Sequence, residues 1–93
     1  MEFQLQQLAE NKFAFLNEQA GEKLAEITWQ QNGSVMVMDH TYVSDKLRGQ
    51  GVAKQLLDQA ASYARENGYK MKAVCSYVVA AFEKSDAYND VKQ

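Results

Sequence analysis

Proline is absent from the 93 residues, although average usage of about 5% would supply four or five. The turns are left to glycine, asparagine and aspartate. A single cysteine, Cys75, excludes an internal disulfide, and a lone histidine, His40, leaves no structural-zinc spacing. No apolar run approaches the roughly 18 residues of a membrane span. The opening stretch MEFQLQQLAENKF has neither the basic nor the apolar region of a secretory leader. The expectation is a cytoplasmic protein with no membrane partner. An excess of one charge is missing too: ten Lys and Arg against twelve Asp and Glu leave a net −2. Nucleic acid is therefore not an expected partner, because its phosphates call for a basic surplus.

What is present describes a folded domain. Apolar residues make up 46% of the chain and charged residues 24%, far from the composition of disorder. The length predicts one domain over residues 1–93, with a thin core of about two layers. An active site must then lie at the edge of that core.

The hydrophobic period changes near residue 50. Before it, Phe3, Leu5 and Gln7, then Phe13, Phe15 and Asn17, alternate around the turn cluster Glu10-Asn11-Lys12 and predict a first hairpin. After Gln19-Ala20-Gly21-Glu22, a third strand places Ala25, Ile27 and Trp29 on one face and Leu24, Glu26 and Thr28 on the other, which predicts half-burial. Asn32-Gly33 predicts a type I′ turn into a strand over 34–43, whose start, VMVM, suggests cover on both sides. Strict alternation there groups Met36, Met38, His40 and Tyr42 on one face and Val35, Val37, Asp39, Thr41 and Val43 on the other. From Val52 to Asn67, apolar residues recur at helical spacing, and Asn67-Gly68 supplies the stop. A strand over 70–75 and a short helix over about 77–84 follow. Strand, helix, strand at this spacing predicts that the strands over 34–43 and 70–75 are parallel or share one sheet, hence an α+β fold with a mixed sheet of about five strands.

Between the fourth strand and the long helix lies Ser44-Asp45-Lys46-Leu47-Arg48-Gly49-Gln50-Gly51-Val52-Ala53. Glycines at a helix start let backbone amides converge on an anion, and Arg48 adds charge. The run is not a Walker loop, since G-x-x-x-x-G-K-[ST] is absent. It is not a dinucleotide fingerprint either, since Lys54 follows where G-x-G-x-x-G needs glycine. It does fit [RQ]-x-x-G-x-[GA] as Arg48-Gly49-Gln50-Gly51-Val52-Ala53, the pyrophosphate loop of the GNAT superfamily of N-acetyltransferases. With His40-Thr41-Tyr42-Val43 upstream, and Cys75-Ser76-Tyr77-Val78 and Ala81-Phe82 downstream, the chain resembles a short single-domain GNAT-like subfamily, often called YjdJ-type.

The resemblance implies a reduced GNAT fold and acetyl-CoA as co-substrate, with no metal. It implies a CoA pyrophosphate on the amides of Arg48, Gly49, Gln50, Gly51, Val52 and Ala53, and pantetheine along Thr41, Tyr42 and Val43. That strand splays from the next parallel one, so that His40 and Cys75 flank the acetyl group. Larger relatives end a helix in Tyr-Glu-Lys, where the tyrosine serves as acid. This chain has Phe82-Glu83-Lys84, leaving Cys75, Tyr77 and Tyr88 as candidates. Relatives also read Cys-Pro-Phe where Cys75-Ser76-Tyr77 stands. Two chemistries are open: direct transfer to an amine, or relay through Cys75 activated by His40. The N-terminal helices that wall the acceptor groove of larger relatives have no counterpart here, so an open acceptor side is expected. That suits a protein-borne or other amine acceptor. The alternative is a non-catalytic acyl-CoA-binding or sensing module. Met36, Met38, Trp29 and Phe82 are read as packing, and Lys70 and Lys72 as a solvated strand face.

Overall fold

The computed structural model describes residues 1–93. Strands β1 (Gln4–Ala9), β2 (Lys12–Gln19), β3 (Glu22–Asn32) and β4 (Val35–Val43) are followed by a 3-10 turn at Asp45–Leu47 and helix α1 (Val52–Asn67). Strand β5 (Lys70–Ala73), helix α2 (Ser76–Lys84) and a second 3-10 turn at Asp86–Tyr88 complete the chain. The strands lie in chain order in one sheet. The first three pairings are antiparallel, and β4 runs parallel to β5. This is the mixed, mostly antiparallel α+β fold that the periodicity predicts.

Each hairpin turn has its own chemistry. Ala9 pairs with Lys12 around Glu10-Asn11. Gln19 pairs with Glu22 around Ala20-Gly21, whose φ angles of 52° and 79° make this the type I′ turn. The third turn departs from expectation by one residue. Asn32 pairs with Val35, so the loop is Gly33-Ser34. Only Gly33, at φ 59°, is left-handed there. Positive φ at the first central position alone is the type II′ pattern, not I′.

The helices share one face of the sheet. Val52, Leu56, Leu57, Ala60, Ala61 and Ala64 of α1 pack in a single cluster with Phe15, Ala25, Ile27, Trp29, Met36 and Met38, and the cluster takes in Val78 and Phe82 of α2. Trp29 lies against Phe13, Phe15 and Tyr63, with ring centroids 5.5–6.0 Å apart. Gly51 and Gly68, both left-handed, bound α1. Lys70 and Lys72 are exposed, as read.

The opposite face carries no helix, yet β3 is buried on both sides from Leu24 to Trp29 rather than half-buried. Side chains of the flanking strands supply the cover. The Lys12–Asp39 ion pair reaches from β2 to β4 across β3, and within β3 itself Lys23 pairs with Glu26. The expected cover on both sides of VMVM is not found: Val35 and Val37 stay half-buried while Met36 and Met38 are fully buried.

Strand β4 contains the main departure from simple alternation. Thr28 pairs with His40 and Trp29 with Met38, so Asp39 is an extra residue, a β-bulge. Beyond it, the face held by Met36 and Met38 passes to Thr41 and Val43, which stand opposite Ile27 and Ala25. His40 and Tyr42, opposite Thr28 and Glu26, turn to the uncovered face and are exposed. The grouping of His40 and Tyr42 with the two methionines is corrected accordingly.

Candidate active site

Parallel pairing of β4 with β5 ends at Met38 and Ala73. The amides of Val74 and Cys75 both donate to the Met38 carbonyl, at 3.1 and 2.9 Å, and the chain then turns into α2. Strand β4 runs on to Val43, so the two strands part. The Ser44 amide donates to Leu24 O at 2.8 Å. Together with the register, this directs the backbone groups of His40 and Tyr42 to β3 and those of Thr41 and Val43 to the opening.

At the far end of this edge, a shallow cavity of about 270 Å³ lies between Val43 and Ala53, rimmed by Asp45, Arg48, Gly49 and Gly51. The amides of Arg48 and Gln50 make long bonds to Asp45 O and Leu47 O, at 3.2 and 3.3 Å. Helix bonding opens with the Gln55 amide on Gly51 O at 3.1 Å. The amides of Gly49, Gly51, Val52, Ala53 and Lys54 are therefore left without a backbone acceptor, gathered at the positive end of α1. Left-handed φ angles at Gly49 (80°) and Gly51 (68°) create this geometry. The Arg48 guanidinium is exposed and held by Asp45 at 2.7 Å.

Cys75 is half-buried, at the N-cap of α2. Its Sγ lies 3.5 Å from Thr41 Oγ1. Burial pushes the thiol up, but the Thr41 hydroxyl and the amides of Val78, Tyr77 and Thr41 more than offset this and hold it below its ordinary value. His40 is exposed on the other face. The structure thus sets His40 and Cys75 on opposite sides of the sheet, with the opening between them, and does not bring them into contact. Tyr77, in the first turn of α2, is half-buried, and its phenol is pushed up by burial and by Asp58.

Tyr88 is occupied elsewhere. It is buried, and its Oη donates to Asp58 Oδ1 at 2.6 Å. Lys54 bonds the second oxygen of Asp58 at 2.8 Å. Phe82, in the place of the usual tyrosine, packs on Tyr88 with centroids 5.3 Å apart.

A glycine-turned amide cradle beside a strand that parts from its parallel neighbour matches what comparison with known proteins finds. The profile described as GCN5-related N-acetyl-transferase matches residues 12–91. The chain belongs to this family. A GCN5-like N-acetyltransferase candidate from Staphylococcus aureus is 42% identical, with a TM-score of 0.72 over 97% of this chain and 87% of that one. The ribosomal-protein-S18-alanine N-acetyltransferase of Escherichia coli superposes at TM-score 0.64 and 19% identity, over 81% of this chain and 52% of its own. Tetrahymena GCN5 does so at 0.66 and 9%, over 82% and 51%. These two share the fold, and this chain spans about half their length. Comparison with curated proteins returns no match. Family membership makes acetyl-CoA-dependent N-acetyl transfer the activity of this fold.

Three residues that sequence reasoning passed over belong to the site's frame: Lys12, Thr28 and Asp39. The one available signal was an aspartate in the middle of an apolar strand, a position that strands disfavour.

Proposed function

We propose that residues 1–93 form one acetyl-CoA-binding domain of the short single-domain (YjdJ-type) branch, which transfers acetyl to an amine. The 42% identity to the Staphylococcus aureus protein over 97% of this chain supports the branch. The cytoplasm, where acetyl-CoA is available, is the fitting compartment. The observation that carries the reading is continuity: the free amides of Gly49 and Gly51 to Ala53 lie at the end of the same β4 edge that opens at Thr41 and Val43.

The cradle fits a pyrophosphate. It offers convergent amides, a helix N-terminus and one guanidinium, with room for an anion. Bound acetyl-CoA supplies an activated thioester. Val52, Ala53, Gly51 and Gly49 hold the phosphates, and Arg48 exchanges Asp45 for them. Thr41 and Val43 offer backbone groups to the amide-bearing arm, with Tyr42 between them on the uncovered side. His40 is placed to take a proton from an amine arriving on that side. Cys75, whose thiol is eased toward ionisation by Thr41 and α2, is placed to give a proton on the covered side, with Tyr77 as a second donor. Base and acid on opposite faces favour direct transfer. A relay through Cys75 activated by His40 loses its support, because the two side chains do not meet. The acceptor is a protein-borne or other amine reaching the helix-free face.

The test is an amide-resolved NMR titration with acetyl-CoA, run beside CoA and pyrophosphate. The expected shifts cluster at Arg48 to Lys54, His40 to Val43 and Cys75 to Tyr77, with acetyl-CoA and CoA differing only near His40 and Cys75. Amides unmoved at millimolar acetyl-CoA overturn the reading. Saturable binding with no amine-dependent release of CoA leaves the acyl-CoA-binding module instead.

A further inference from the structure

Three strands meet at Asp39 on the uncovered face. Thr28 Oγ1, on β3, donates to Asp39 Oδ1 at 2.6 Å. Lys12, on β2, donates its ammonium to Oδ2 of the same carboxylate. Asp39 is the extra residue of the β4 bulge, and Thr28 is the residue the bulge faces. Both carboxylate oxygens are therefore tied to neighbouring strands at the one point where β4 changes face.

The consequence reaches through the sheet. With the bulge in place, Thr41 stands on the helix-covered side, 3.5 Å from Cys75 Sγ. Strict alternation without it would return His40 to the face of Met36 and Met38 and turn Thr41 outward. Thr28 is 5% exposed and the Asp39 side chain 30%, so the hydroxyl end of this bond is shielded from water while the carboxylate keeps part of its hydration. A hydroxyl-to-carboxylate bond shielded at its donor constrains geometry more than an exposed ion pair does.

We propose that Thr28, Asp39 and Lys12 form a pin that fixes the β4 bulge and thereby holds Thr41 against Cys75 and His40 on the opposite face. These are positioning residues: they touch neither the amide cradle nor the opening and act through the backbone of β4. Their catalytic meaning rests on the acetyl-transfer reading above. The mechanical coupling from the pin to Cys75 stands apart from it. Burial pushes the Asp39 carboxyl up, but the bonds from Lys12 and Thr28 more than offset this, so the acceptor of the pin stays ionised across the neutral range.

The experiment uses the full chain and reads the rate of Cys75 alkylation by iodoacetamide against pH, with an amide spectrum to verify the fold. Thr28→Val keeps the shape and removes the hydroxyl, Asp39→Asn removes the charge, and Thr28→Ser keeps the donor. In Thr28→Val and Asp39→Asn the reactivity profile is expected to move up by about one pH unit, about tenfold less thiolate near neutrality. Thr28→Ser is expected to retain the wild-type profile. Pyrophosphate affinity, which depends on the separate loop, is expected to stay within about twofold, while amine-dependent release of CoA falls. A wild-type alkylation profile in folded Thr28→Val and Asp39→Asn overturns the pin. Should Thr28→Val fail to fold, Asp39→Asn and Lys12→Met supply the same reading. If the wild type fails to bind acetyl-CoA, the transferase reading falls, while the alkylation profile still decides the coupling.

Discussion

Tyr88 shows how one side chain can be removed from chemistry by its partner. Its buried phenol donates to Asp58, which Lys54 grips from the other side. For Asp58, burial raises the carboxyl, but the bonds from Lys54 and Tyr88 bring it below 3.8. A carboxyl lowered on folding contributes stability that is present above its unfolded value and is lost as pH falls through the folded one. Tyr88→Phe is therefore expected to cost about 1–2 kcal/mol at neutral pH. That deficit should narrow below about pH 4 as Asp58 takes up its proton. Urea unfolding of both proteins at pH 7 and pH 3 measures it, and an equal deficit at both refutes the linkage. Gly51 acts at the same scale. A Cβ there meets nothing within 4 Å, but its φ is 68°. Gly51→Val thus strains only the backbone, by about 1–2 kcal/mol, and that strain is relieved by turning the cradle amides away. Calorimetry is expected to show at least a tenfold loss of affinity for acetyl-CoA and for pyrophosphate, about 1.4 kcal/mol, with the amide spectrum of the sheet unchanged.

Elements differ in how openly the sequence announces them. Helix α1 was legible to the residue, because its apolar spacing and terminal glycines are local signals. The five strands and the shared sheet of β4 and β5 were also legible, the latter because a strand-helix-strand of this length has little topological choice. The turn at Gly33-Ser34 was misplaced by one residue, since a two-residue loop can centre on either pair and only the cross-strand register decides. The faces of His40 and Thr41 were misassigned for a deeper reason. A bulge is specified by contacts from other strands, here Thr28 and Lys12, and no window of β4 contains them. At Arg48 to Ala53 the glycine turns and open amides were legible as loop geometry, although Arg48 and Gln50 bond backward; their hold on CoA belongs to the proposed function. The β2–β3 turn carries a prediction of its own. Ala20 is the one non-glycine residue with positive φ, 52°, at a type I′ position that favours asparagine. Ala20→Asn is expected to stabilise the chain by about 0.5–1 kcal/mol. Thermal unfolding checks it, and a lower midpoint would mean the turn is set by its strands rather than by its residues.

At the scale of the molecule, the two layers divide the work. Helices α1 and α2 cover one face, which carries the cradle and Cys75, and the other face presents His40 and Tyr42 beside the opening. Sites for small molecules enclose most of the ligand surface, on the order of 70–90%. On the proposed reading the acceptor arrives at the helix-free face, which offers it no such enclosure. A small free amine would have little to hold it against the thioester, so its attack would forfeit most of the advantage of orientation. An amine carried on a polypeptide can instead draw binding energy from the sheet face around His40, Tyr42 and Lys72 and spend it on placement. The expected outcome is that lysine-bearing or free N-terminal peptides accelerate release of CoA from acetyl-CoA with kcat/KM at least about tenfold above that of butylamine or ethanolamine, a difference of about 1.4 kcal/mol in transition-state binding. Thiol release followed with a chromogenic disulfide measures both series. Equal rates for peptides and small amines would mean that the exposed face contributes nothing to acceptor binding and that the opening alone sets the rate.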